Sequence, residues 1–199
     1  MYQLVQFIRH KIPLIWNLID IFNGRGFQIR YKKRLKTLPD LLASFSNSNI
    51  NYSLAQTEDA PALEEFFQKQ PKEAFKYFKP HEFDKKSIIK LINNPSFIMI
   101  LAKCQSSIIG YSFLRCFANG KSFRGKIVDI NFRGQGIAKN FGIITTEIAS
   151  KLEIGLFGTI SKMNISSMAS SKSSNEIKVI KELPEDYLLI QYLPKKHIQ

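Results

Sequence analysis

Cysteine is scarce in this sequence, with two residues in 199, and so are proline and glycine, with eight and ten. Two thiols, Cys104 and Cys116, cannot build a disulfide framework, and both lie in apolar runs that suit a small buried side chain, so a reducing cytoplasm is expected. The low glycine and proline content beside 44% hydrophobic and 12% aromatic residues excludes disordered, collagen-like and low-complexity chains. Long apolar runs are missing too. The longest, Phe97 to Ala102, falls well short of the roughly 18 residues that cross a bilayer. Ile12 to Phe22 imitates a signal peptide, but Pro13, Asn17 and Asp20 interrupt it and no small-residue cleavage site follows, so it is expected to stay on the protein. The three histidines, His10, His81 and His197, are scattered, no His, Cys and carboxylate cluster has metal-ligand spacing, and no metal is expected.

Acidic residues are short as well: 16 Asp and Glu stand against 29 Lys and Arg, a net charge of +13. More than half of the excess lies in residues 1–36, where Arg9, Lys11, Arg25, Arg30, Lys32, Lys33, Arg34 and Lys36 are opposed by Asp20 alone. Leu4, Ile8, Ile12, Ile15, Ile19 and Phe22 recur there at helical spacing beside Trp16, and Gly24 and Gly26 predict a stop. Residues 1–48 are thus expected to form an amphipathic, basic helical extension, and residues 49–199 a single domain large enough for a sizeable core. Two readings of the extension stand side by side. It lies on an anionic membrane, with Tyr31-Lys32-Lys33-Arg34 adding about 1 kcal/mol per cation, which would place the protein at the inner face of the membrane. Or it docks on its own domain or on a second copy in a homodimer. Nucleic acid ranks third, since no recognised binding motif accompanies the charge.

Along the domain, Asn51 to Gln56 reads as a strand. Thr57 or Asp59 caps a helix through Leu63, Phe66 and Phe67, and Asp84 caps a second, Lys85 to Asn93, after the loop Tyr77 to Asp84. The period then changes. Phe97 to Cys104, Ile108 to Phe117 and Ser122 to Ile130 predict three consecutive antiparallel strands. A helix with Ile137, Phe141, Ile144, Ile148 and Leu152 on one face follows, then a strand at Gly155 to Ser161 and two short strands around Leu183-Pro184-Glu185-Asp186.

The informative junction is Val128 to Ala138, where strand turns directly into helix. Gly134, Gly136 and Ala138 let the backbone approach a ligand closely, and the first helical amides are left unpaired at the positive end of the helix dipole, an arrangement that binds phosphate. A dinucleotide fingerprint would need glycine where Lys139 stands, and antiparallel strands precede the loop, so that version is set aside.

At these residues the chain resembles the GNAT superfamily of acetyl-coenzyme A-dependent N-acetyltransferases. Its pyrophosphate loop has Gln or Arg, two variable residues, Gly, one variable residue, then Gly or Ala, and Arg133, Gly136 and Ala138 fill those places. The resemblance spans residues 50 to about 193. It implies an α/β (α+β) fold with a mixed, mostly antiparallel sheet flanked by helices and splayed where the cofactor enters. It also implies that the strand ending at Lys126-Ile127-Val128 pairs with the pantetheine arm, and that the amides from Gly134 through Gln135, Gly136, Ile137 and Ala138 to Lys139 hold the pyrophosphate. Asn164 matches a family Asn that contacts the cofactor, and it reads equally as an ordinary turn residue.

The departures concern proton transfer. Ser171 stands where the family often has a Tyr that protonates the leaving thiolate, and Thr159 where many members have a basic Glu. His81, beside Glu82 and Asp84 in the loop that would shape the acceptor pocket, is the best remaining candidate base, because an unperturbed imidazole titrates near 6.5. Its alternative is a helix-entry His bonded to a neighbour. The aromatic, Pro and His residues of that loop also resemble GNAT proteins of bacterial surface-sugar biosynthesis. The expected activity is acetyl transfer from acetyl-coenzyme A to a primary amine, with a nucleotide-linked amino sugar preferred. A peptide or protein acceptor, or an acyl-coenzyme A-binding module without chemistry, are the alternatives.

Overall fold

The structure, a computed structural model, describes residues 13–195. Leu4, Ile8 and Ile12 of the expected apolar stripe, with Arg9, Lys11, His10 and His197, lie outside the described residues. Helices α1 (Pro13–Leu35) and α2 (Leu38–Ala43) lead into strand β1 (Asn51–Leu54). A single 3-10 turn, Thr57–Asp59, precedes α3 (Ala60–Lys69), and α4 (Lys85–Ile92) follows a long loop. Strands β2 (Phe97–Cys104), β3 (Ser107–Cys116) and β4 (Lys121–Val128) come next, then α5 (Ile137–Leu152), β5 (Gly155–Ser161), α6 (Ile165–Ser174), β6 (Glu176–Leu183) and β7 (Tyr187–Leu193).

The seven strands form one sheet in the order β1-β2-β3-β4-β5-β7-β6. Every neighbouring pair is antiparallel except β4 and β5. This is the mixed, mostly antiparallel α/β sheet that the sequence predicts. The parallel pair is short: Lys121, Ser122 and Phe123 meet Gly155, Leu156 and Phe157, and beyond Phe123 the two strands part. β5 continues to Ser161 against β7, while β4 continues to Val128 against β3 alone.

Helices cover both faces. Ile137, Phe141, Ile144, Ile148 and Leu152, the predicted stripe of α5, are all buried against Ile100, Leu114 and Val128, together with residues of α1 and α2. On the other face Leu63, Phe66 and Phe67 of α3 and Ile88 of α4 pack on Met99, Leu101, Tyr111 and Phe113. Asp84 caps α4 as expected, accepting from the Ser87 amide at 3.0 Å.

The extension departs from expectation in two respects. α1 does not stop at Gly24 and Gly26 but runs through both to Leu35. The reason is close packing. A side chain at Gly24 would meet Asn94 Oδ1 at 3.0 Å, so the bare backbone there lets the helix settle on the sheet end, and Gly26 lies in ordinary contact range of Ala118. The buried residues also differ from the predicted stripe: Phe27 and Tyr31 enter the core while Phe22 is 68% exposed. Asn23 fastens this face. Its amide donates to Ser96 Oγ at 3.0 Å and the Cys116 carbonyl at 2.9 Å, and its oxygen accepts from the Ala118 amide at 2.9 Å. Asp20 pairs with Arg115, and Arg34 with Glu153. Among the described residues, no helix is long and apolar enough to cross a membrane.

Candidate active site

The strand-to-helix junction is built by turn chemistry. The Asp129 carboxylate accepts from the Asn131 amide at 2.8 Å and shapes a 3-10 turn, Ile130–Phe132. Gly134 and Gly136 then adopt φ values of +80° and +81°, the left-handed region that glycine enters without strain. α5 begins at Ile137, and its first backbone bond runs from the Asn140 amide to the Gly136 carbonyl at 2.9 Å. The amides of Ile137, Ala138 and Lys139 therefore have no partner within the helix. Arg133, Gly134, Gln135, Gly136 and Lys139 are exposed, and nothing lies within 4 Å of where a side chain on either glycine would project. The bend is open and presents amides, which suits a diphosphate. Gly120-Lys121-Ser122 shares the closing residues of a P-loop, but Arg115 occupies the place of its first glycine and the segment enters β4 from a hairpin rather than starting a helix.

The gap between β4 and β5 leads away from this bend. Gly125, Lys126, Ile127 and Val128 have no β5 partner, so this edge of β4 is available to an extended ligand. Two cations stand on the face that α5 and α6 cover. Arg124 donates to the Gly142 carbonyl and Thr145 Oγ1, both at 2.9 Å, and to Asn175 Oδ1 at 2.7 Å, with its guanidinium carbon 3.5 Å from the Tyr192 ring centroid. Lys126 Nζ donates to the Ala138 carbonyl at 2.6 Å and to Ser170 Oγ at 2.9 Å. Burial pushes this amine down to about 7, and Arg124 beside it adds to the fall.

On the opposite face, His81 lies within the aromatic group of Phe67, Phe83, Phe97, Tyr111 and Phe113. Its Nδ1 is 2.7 Å from the Glu82 carbonyl, which only accepts, so Nδ1 donates; Nε2, 2.8 Å from the Tyr111 hydroxyl, then accepts in the neutral ring. Burial lowers its pKa below the ordinary value, so the imidazole is uncharged at neutrality. Phe78 and Phe113 close over Gly125, within 3.2 Å of where a side chain there would project. This face of β4 is thus walled by aromatic rings.

The predicted residues separate into groups. Lys126, Ile127, Val128 and the loop from Arg133 to Lys139 are brought together at one opening. His81 lies across the sheet from the Lys126 amine. Asn164 caps α6, its oxygen accepting from the Ser167 amide at 3.1 Å. Ser171 is 2% exposed, and Thr159 is an exposed residue of β5. Four features escaped the sequence reading: the amine of Lys126, the buried Arg124, the Tyr111 partner of His81, and Gln70. Gln70 is 6% exposed and donates to Asp129 Oδ2 at 2.9 Å, while its own oxygen has no partner among the described residues. Alternation along β4 puts Arg124 and Lys126 on one face, but only the fold shows that they stand beside the stretch where β4 has no β5 partner. Among the described residues, no group of His, Cys and carboxylates could hold a metal.

Solved structures share this fold. An N-acetyltransferase, PaiA, from Thermoplasma acidophilum in complex with coenzyme A superposes with a TM-score of 0.62 at 16% identity, over 73% of this chain and 99% of that one. The fold is that of the GNAT acetyltransferases. The ribosomal-protein-S5-alanine acetyltransferase of Vibrio fischeri gives a TM-score of 0.63 at 12% identity over 78% and 98% of the two chains. A GNAT-family acetyltransferase of Streptococcus pneumoniae gives 0.55 at 14% over 72% and 99%. No family model and no curated protein matches the sequence. In this GNAT fold the glycine bend and the gap between β4 and β5 occupy the sheet's topological break.

Proposed function

We propose that the chain is an acetyl-coenzyme A-dependent N-acetyltransferase that moves acetyl to a primary amine, with a nucleotide-linked amino sugar of surface polysaccharide as acceptor. The observation that carries the acyl-donor half is the open run of amides from Gly134 to Lys139 continuing into the unpaired edge of β4. A diphosphate suits the amides, and an amide-bearing extended arm suits a strand edge. Coenzyme A has both in that order. The structural neighbour from Thermoplasma acidophilum is described in complex with coenzyme A, which supports the same assignment.

The acceptor half rests on the aromatic wall of Phe78, Phe83 and Phe113 beside the gap. Flat rings offer stacking surface to a sugar. A peptide acceptor is the second reading, favoured by the Vibrio fischeri neighbour, which is named for a ribosomal protein. In the same reading the protein is cytoplasmic, and the outward side of α1, with Phe22 and Ile29 exposed among Arg25, Lys32 and Lys33 and with Lys36 just past its end, touches the anionic inner face of the membrane.

The test is mass spectrometry of nucleotide-linked amino sugars and peptides after incubation with acetyl-coenzyme A. A mass gain confined to the amino sugars is expected. Gain on peptides alone would replace the acceptor, and thermal stabilisation by coenzyme A without acetyl transfer to any amine would leave a binding module.

A further inference from the structure

The GNAT resemblance leaves the departing thiolate without an acid, because Ser171, buried, holds the place of the family's Tyr and an aliphatic hydroxyl is a far weaker acid than a phenol. The structure offers another group. Lys126 is the third residue beyond Phe123, where β4 leaves β5. Its side chain crosses from β4 to the first turn of α5 and to α6, the helix that carries Ser171, and its Nζ rests on the Ala138 carbonyl and Ser170 Oγ. An ammonium has three N–H groups, and these are its two acceptors among the described residues, which leaves one N–H for a ligand.

We propose, resting on the acetyl-coenzyme A reading, that Lys126 is the acid that protonates the leaving thiolate. An arm that enters past Gly136 and pairs along Val128 and Ile127 brings its thioester beside Lys126. As the amine nitrogen bonds to the thioester carbonyl carbon, the C–S bond breaks and its electron pair passes to sulfur. Sulfur takes a proton from Lys126 Nζ. The proton shed by the attacking nitrogen goes to water, and Lys126 regains one from water, so charge and protons balance over the turnover.

The surroundings of Lys126 suit this role. α5 presents the Ala138 carbonyl and α6 the Ser170 hydroxyl; Arg124, on β4 itself, is the charged group that acts on the amine. An amine held near 7 surrenders its proton more readily than an ordinary lysine at about 10.4. His81 and Tyr111 lie on the other face of the sheet, so Lys126 delivers its proton on the side of β4 away from them.

The test needs no acceptor. The thiol of coenzyme A bound to the full chain is titrated by its ultraviolet thiolate absorbance. In Lys126→Arg, whose cation persists at every pH, it should ionise at least about one unit below the free thiol's value of about 8.5, since a cation in contact favours thiolate. In Lys126→Met it should stay at the free value, while desulfo-coenzyme A still binds. Equal thiol titration in Lys126→Arg and Lys126→Met, with desulfo-coenzyme A bound equally, would overturn the proposal by showing that the side chain at 126 does not reach the sulfur. Should either variant fail to fold, NMR of isotope-labelled lysine in the native protein decides: the Lys126 Nζ resonance should move with coenzyme A and not with desulfo-coenzyme A, and equal movement overturns it. A native chain that binds neither compound would overturn the acetyl-coenzyme A reading itself, and this proposal with it.

Discussion

Gly136 carries the sharpest prediction at the scale of single residues. Its φ of +81° suits glycine, and a β-branched side chain there is strained by roughly 1–3 kcal/mol and also stands in the open bend that the ligand would enter. Gly136→Val is therefore expected to weaken coenzyme A binding by tenfold or more in calorimetry, and unchanged affinity would remove the loop from the site. His81 gives a pH prediction of definite sign. Its folded pKa is lowered by burial, so the unfolded chain takes up the proton first as the pH falls through about 6.5. The stability of the neutral ring is complete above that value and declines toward the lower folded pKa. Thermal melts between pH 7.5 and 5.5 should show a loss for the native protein that is smaller in His81→Gln. Equal slopes would mean that the imidazole is not held neutral.

Among the elements, α1 decides how far the sequence could be read. Its predicted stop rested on two glycines, which usually end a helix, yet here Gly24 removes the side chain that would crowd Asn94, and the helix runs on through Gly26 in ordinary contact with Ala118. Tertiary packing overrode local propensity, and that contact is invisible without the fold. The consequence is measurable: Phe27→Ala empties a fully buried ring and should cost about 3–5 kcal/mol, whereas Phe22→Ser, on the exposed side, should leave the melting temperature unchanged. α5, by contrast, was legible to the residue, because five apolar positions fall on one face and a glycine bend starts it. The serine-rich α6 had no apolar stripe to announce it and was missed. Its place is set by packing: a side chain at Gly142 would collide with Ser174, so the Ser174 side chain rests directly on the α5 backbone there.

For the whole molecule, the uneven charge and the cofactor site make separate predictions. The basic outward side of α1 is expected to bind vesicles containing phosphatidylserine but not neutral ones, with binding weakened by Lys32→Glu and Lys33→Glu together and by salt. Vesicle sedimentation checks this, and binding that ignores lipid charge would remove the membrane from the reading. Coenzyme A at 100 times its dissociation constant should stabilise the native state by about 2.7 kcal/mol, read as a raised melting temperature. At this scale most of the strand succession was legible, since period-2 runs and short turns fix β2, β3 and β4. The insertion of β7 between β5 and β6 was not, because strand order depends on pairings that no local pattern records.

The short seam between β4 and β5 has a mechanical consequence. Three register pairs stitch the half-sheet β1–β4 to the half-sheet β5, β7 and β6, and past them the halves are held together through α5 and side chains such as Arg124 instead of backbone rungs. A guest threaded along the unfilled edge would supply rungs that the polypeptide omits, behaving as an eighth strand. Deuterium uptake at the Gly125 to Val128 amides should then slow on loading, together with uptake in β5, and the occupied protein would resist shear where the empty one is most easily pulled apart.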